Sequence, residues 1–165
     1  GNYDVDYGFM DSHQKRIDEI KRFDVVIFKA REDVISYNIK RVIALPGESF
    51  YFTYSPGENI HGDLYIKEVG KENFELVEQP IDENFLRKGD YPTKYREPTT
   101  LEDNEYFVVG DNRLIGNSLD SRSTGPIQKD LILGVAIGIN ASCTLIEENG
   151  NIVPTNIKHF KPRFF

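Results

Sequence analysis

The chain has 165 residues, a formal net charge of −7 and 39% hydrophobic residues, with Tyr and Phe well represented. That length and content give one core, or one core with an elaboration, and the β-forming residues point to strands. The acidic balance argues against a nucleic-acid binder, and no run of about 18 apolar residues exists to span a bilayer.

Residues 2–10 alternate loosely and predict one short strand. Residues 11–22 (DSHQKRIDEIKR) are polar with Ile17 and Ile20 at helical spacing, which fits a helical turn or a solvated loop. Asp11, Ser12 and His13 share the names of a catalytic triad. Consecutive residues cannot converge across a fold, so that reading is set aside. Residues 24–28 (DVVIF) and 35–45 (ISYNIKRVIAL) predict strands, the second ending in the turn Pro46-Gly47-Glu48. Residues 49–54 (SFYFTY) predict a third. Strands at short spacing with Pro/Gly turns between them predict a mainly β, antiparallel fold.

From 55 to 103 the chain turns polar and acidic. Short strands are predicted at 63–67 and 74–78, with loops elsewhere, so this stretch is expected to be an inserted subdomain rather than a second core. The core is expected from residues 1–54 and 104–165. Apolar runs return at 106–109, at 131–139 (LILGVAIGI) and at 143–146, and the tail over 152–165 ends basic and aromatic.

Residues 105–122 (EYFVVGDNRLIGNSLDSR) place two acid/arginine pairs, Asp111/Arg113 and Asp120/Arg122, around two serines just after a β-like run. These charges are expected to pair with each other, as a salt-bridged turn, or to cap backbone groups, because an unpaired charge at a strand end is costly. The single cysteine, Cys143, permits no intrachain disulfide and lies in an apolar context that suits a small core residue. The three histidines, His13, His61 and His159, lack metal-ligand spacing, so no metal is expected. Asn140-Ala-Ser142 fits a glycosylation pattern of low specificity.

Three segments together resemble the type I signal peptidase family. Residues 40–48 (KRVIALPGE) are similar to its Lys-Arg…Leu-Pro-Gly-Asp/Glu motif. Residues 107–113 and 117–122 (FVVGDNR, NSLDSR) are similar to its GDNR and NS-x-DSR words. Residues 19–28 (EIKRFDVVIF) are similar to a strand entry that in the family reads IKRGDVVVF. Gly125-Pro126-Ile127 and residues 131–135 also look like the segment that follows in the family. Two departures stand out: Leu114-Ile115-Gly116 lengthens the loop before Asn117, and Ala44 stands where glycine is common.

The resemblance implies a barrel-like β core and a Ser/Lys peptidase that uses no metal or organic cofactor. It makes Lys40 the general base, Ser118 the hydroxyl that orients the lysine, and Asp111, Arg113, Asp120 and Arg122 the supporting framework. Physical chemistry agrees about Lys40. An ordinary lysine is protonated at neutral pH, and only desolvation among apolar neighbours lowers its pKa enough for it to take a serine's proton. On a regular strand Lys40 shares a face with Asn38, Val42 and Ala44, while Arg41 points away. An exposed Lys-Arg pair on an edge strand is the bland alternative.

The family's nucleophile word, G-x-S-M-x-P-T-L, is absent. In one register Phe9 falls at the serine position, the protein is catalytically dead, and a strand's worth of residues is deleted. In the other, preferred here, Gly1-Asn2 follows directly after that word, and both nucleophile and membrane anchor belong to a longer parent. Ser12 is a substitute nucleophile by identity alone.

The family reading implies cleavage of signal peptides from exported preproteins at the extracytoplasmic face of a bacterial membrane. The substrate would bind as an extended strand. Phe50, Tyr51, Phe52 and Tyr54 are candidate membrane contacts, although a core strand explains them equally well. The alternative is an inactive relative that binds pilins or other surface proteins during assembly. A self-cleaving repressor-type peptidase uses the same chemistry, but the GDNR and DSR words favour the signal peptidase branch.

Overall fold

A computed structural model describes residues 3–30, 37–53, 63–81, 93–113, 118–148 and 151–164. Tyr54 and His61 lie outside them. The fold is mainly antiparallel β, as the sequence predicts, and the described residues form two sheets.

The larger sheet has the order β1-β10-β2-β3-β8-β9, with β11 added on β10. Its strands are β1 (Tyr3–Asp11), β2 (Val25–Lys29), β3 (Tyr37–Ala44), β8 (Glu105–Val109), β9 (Ile127–Gln128), β10 (Ile132–Glu148) and β11 (Asn151–Phe164). The smaller sheet runs β6-β5-β4-β7, from β4 (Ser49–Phe52), β5 (Leu64–Lys67), β6 (Glu75–Val77) and β7 (Thr99–Thr100). Among the described residues two short α-helices accompany the sheets, α1 (Gln14–Asp18) and α2 (Ser121–Thr124).

Period-2 alternation along β8 explains how the sheets join. Tyr106 and Val108 face one apolar cluster, with Val26, Val42, Ile132 and Val135. Phe107 and Val109 face the other, with Phe50, Phe52, Leu64 and Tyr95. β8 is therefore buried on both sides, and a side chain such as Phe107, with no exposed surface, contributes roughly 1.5–3 kcal/mol by burial. β3 reaches both clusters by a different device. Its register against β8 shifts between Val42 and Ala44, so Ile43 and Ala44 together oppose Phe107. Such a bulge breaks the alternation. Val42 enters the first cluster and its neighbours Ile43 and Ala44 enter the second. The predicted common face of Lys40, Val42 and Ala44 therefore stops at Val42.

The smaller sheet decides between core and surface for the aromatic residues of β4. Leu64 and Ile66 of β5, with Tyr95 and Leu101, join Phe50 and Phe52 of β4 in the second cluster, and β7 pairs with β4. Phe50 and Phe52 are fully buried within it, so they are not membrane contacts. Tyr51 stacks on Tyr65 with ring centroids 5.1 Å apart.

The C-terminal part also differs. The apolar runs at 131–139 and 143–146 are one strand, β10, and Cys143 is buried on it. The basic tail is a strand too. Pro154, Pro162 and the positive φ of Asn156 hide it from a sequence reading. They are tolerated because β11 pairs only with β10 and leaves its other edge unpaired among the described residues.

Candidate active site

Lys40 lies on β3 opposite Val26 of β2, on the side of the first cluster. β3 also pairs Arg41 with Val109 and Val42 with Val108. One step further along that register, Lys40 stands opposite Gly110, at the end of β8. Its ammonium is half-buried and donates to the Ile39 carbonyl at 3.0 Å. Burial lowers its pKa from the ordinary 10.5, and Arg122 adds to this. The carboxylates of Asp120 and Asp111 oppose the shift without cancelling it. Those same interactions place Asp111, Asp120 and Arg122, of the segment that follows β8, near the lysine.

That segment is held by a dense set of bonds. Asp120 is nearly fully buried and accepts from Arg122 Nε at 2.9 Å and Nη2 at 2.9 Å, the pairing predicted from sequence. It also caps α2, accepting from the Arg122 backbone N–H at 3.1 Å, and accepts from the Gly110 N–H at 3.0 Å. Burial alone would raise its pKa. The Arg122 guanidinium, the Gly110 N–H and the nearby Ser118 hydroxyl together hold it below the usual value.

The second predicted pair does not form. Asp111 reaches across to β3 and pairs in bidentate fashion with Arg41, at 2.8 Å and 2.7 Å. Arg41 also donates to the Phe23 carbonyl at 2.9 Å, so it fastens β2's entry to the end of β8. The sequence signal for this was the Arg beside Lys40, which strand alternation sends to the opposite face. Arg113 is instead fully buried. It donates from Nε to the Gly110 carbonyl at 2.8 Å and from Nη1 to Gln79 Oε1 at 2.7 Å. Its own carbonyl accepts from Arg122 Nη1 at 2.8 Å.

The Ser118 hydroxyl is buried against the Cα of Gly110, on the side facing Lys40's register position. It closes no well-aligned hydrogen bond among the described residues. The structure thus brings Lys40, Ser118, Asp120 and Arg122 to one end of the β3–β8 pair, without a direct Lys40–Ser118 bond.

Phe9 and Ser12 are elsewhere. The ladder Lys40–Val26–Val135–Asp11 puts Ser12, next to Asp11, three strands away, on the order of 14 Å at the usual interstrand spacing. Ser12 is exposed, and Phe9 is exposed on the same outlying strand. Asp11 accepts from the His13 backbone and ring at the surface, which lowers its pKa. Among the described residues no cluster of three His, Cys, Asp or Glu could hold a metal, and no helix is long and apolar enough to cross a membrane.

Comparison with known proteins gives concordant matches. A family described as signal peptidase, peptidase S26, matches residues 3–140. Signal peptidase I V of Bacillus subtilis (strain 168) is 37% identical over 123 residues, covering 73% of this chain and 66% of its own length. Signal peptidase I T of the same strain is 32% identical over 133 residues, covering 78% and 61%. Signal peptidase I of Pseudomonas aeruginosa is 32% identical over 145 residues, covering 79% and 49%. The chain thus spans between about half and two-thirds of the length of these relatives. A crystal structure of a signal peptidase I from Enterococcus faecalis V583 aligns with a TM-score of 0.46 at 26% identity, over 70% of this chain and 95% of that one.

Proposed function

We propose, on the premise that this chain belongs to the signal peptidase family, peptidase S26, that it is the larger part of a serine endopeptidase that removes signal peptides from exported preproteins. Lys40 serves as general base, and Ser118 orients its amine. Asp120, Arg122, Arg41 and Asp111 hold the two strands in register, and buried Arg113 secures the loop behind them. The nucleophilic serine comes from a segment preceding Gly1, which also carries the membrane anchor. The preprotein lies extended against the sheet at the extracytoplasmic face, where main-chain hydrogen bonds give affinity.

The observation that carries this reading is the environment of Lys40. A neutral amine is needed to accept the serine's proton, and this lysine is half-buried with its pKa lowered by that burial. Among the described residues the carboxylates of Asp111 and Asp120 are bonded to arginines and backbone N–H groups, whereas the Lys40 ammonium is bonded to the Ile39 carbonyl and not to a carboxylate.

The test uses the full-length parent with a preprotein substrate. Lys40→Ala is expected to abolish cleavage, and unchanged cleavage removes Lys40 from the mechanism. The chain of 165 residues, assayed alone, is expected to be inactive. Turnover by it would place the nucleophile within these residues and force Ser12 or another serine into the role.

A further inference from the structure

β11 stands apart from the rest of the chain in charge and in exposure. It carries Lys158, His159, Lys161 and Arg163, and no acidic residue follows Glu148. Its three Lys and Arg charges leave the first 150 residues at a formal −10, against −7 for the whole chain. Side chains alternate between the two faces of a strand, yet Ile157, Lys158 and His159 are exposed in succession. Neither face of β11 is covered there, and its outer edge has no partner strand among the described residues.

The cations adjoin an aromatic pair. Phe9 of β1 and Phe164 of β11 both pair with Gly138 of β10, one from each side. Residues directly opposed across strands share a face, so the two rings flank a position without a side chain. A Cβ at Gly138 would lie 3.0 Å from the Phe164 ring. Phe9 is 43% and Phe164 71% exposed, and Ile157 is half exposed further along β11. Lysines on an edge strand also serve simply to discourage aggregation. Either sign of charge meets that need, and it does not call for exposed phenylalanines beside them. Cations interleaved with exposed apolar rings are the composition of an interfacial anchor. The rings enter the headgroup region and the cations meet anionic lipids.

We propose that β11, together with Phe9, is a docking strand for an anionic lipid bilayer. β1 occupies one edge of β10, so β11 follows β2 end to end along the other. Gly138 is three residues along β10 from Val135, whose row across the sheet is Val26 and Lys40. At the usual rise Phe164 therefore stands on the order of 10 Å from the Lys40 row, and a bilayer held by β11 lies close to the amine. This rests on the reading of the domain as one that works at a membrane surface. Lipid binding is read without cleavage, so a parent that cuts nothing would not alter the result.

The experiment mixes this 165-residue chain with vesicles of phosphatidylcholine alone, or of phosphatidylcholine and phosphatidylglycerol in equal parts. Flotation measures the bound fraction. Binding is expected only to the anionic vesicles, although the net charge of −7 alone would repel the chain from them. It should be lost at about 1 M salt, where the Debye length is about 3 Å. Lys158→Gln combined with Lys161→Gln is expected to weaken it roughly 25-fold, at about fivefold per lysine. Phe9→Ser combined with Phe164→Ser is expected to weaken it too, while leaving its salt dependence in place.

Lys15→Gln combined with Lys71→Gln is the control. It removes two exposed lysines elsewhere, changes the net charge equally, and is expected to bind as the parent does. Equal binding to both kinds of vesicle, no binding to either, or an equal loss in the control variant overturns the proposal. So does self-association that depends on Lys158 and Lys161, seen by sedimentation velocity without vesicles, since β11 would then meet the acidic body of a second copy.

Discussion

The hydroxyl of Ser118 occupies the space where a side chain at Gly110 would begin. A Cβ added to Gly110 would lie 2.9 Å from Ser118 Cβ and closer still to its Oγ, with Asp120 Oδ2 at 3.6 Å. The glycine is required by that close approach, and its position opposite Lys40 makes the gap part of the site. Gly110→Ala is expected to cost about 1–3 kcal/mol in urea unfolding, the usual range for overpacking a dense core, and to displace Ser118. A fully stable variant would show that the serine does not pack there.

Lys40 should weaken the fold it serves. Its folded pKa lies below 10.5, so between that lowered value and 10.5 the unfolded chain binds more protons than the folded one. Stability assigned to this residue rises with pH through that window, and the full penalty is present below it. Lys40→Met removes the desolvated ammonium. It is expected to raise Tm at pH 7 and to flatten the alkaline part of the stability profile. Calorimetry of the two proteins across pH 6–11 checks both.

The Asp120–Arg122 pair behaves oppositely. Asp120→Asn leaves the buried Arg122 guanidinium without its carboxylate and should cost about 3–5 kcal/mol. The pKa of Asp120 lies below the ordinary 3.8, so its contribution is complete above 3.8 and disappears as pH falls through the lowered value. The variant should therefore lose less stability than the parent on acidification below about pH 4. Parallel acid titrations followed by circular dichroism report the difference.

Phe23 is held at φ 70°, a left-handed conformation that costs an L side chain about 1–2 kcal/mol. Its ring packs against the second cluster, its N–H donates to the Val42 carbonyl at 2.8 Å, and its carbonyl receives Arg41. Phe23→Gly exchanges ring burial for relief of strain, whereas Phe23→Ala loses the ring and keeps the strain. The glycine variant is expected to be the more stable of the two by about 1 kcal/mol, reversing the usual order of Ala over Gly. Urea denaturation of both settles the order.

Strands β2 and β8 of the first sheet and the Asp120–Arg122 pair were legible because both are local. Alternation over a few residues specifies β2 and β8, and a carboxylate two residues before an arginine at a helix start can turn back on it. Asp111 had two arginines within reach in the folded chain, and sequence distance favoured the wrong one. Arg41 is 70 residues away in sequence, but β3–β8 pairing sets it beside the end of β8. Gln79 and Tyr95 carried no signal at all. An amide and a phenol acquire meaning only when a buried guanidinium and the Ser121 carbonyl are placed against them. β11 was missed for a different reason: prolines and a left-handed asparagine mask a strand whose outer edge needs no partner.

The bulge in β3 makes one strand a member of both apolar clusters, immediately beyond the residue that carries the amine. Neither sheet can swing or slide against the other without shearing Lys40's own backbone. Denaturation should be equally undivided, with chemistry and architecture vanishing in the same transition.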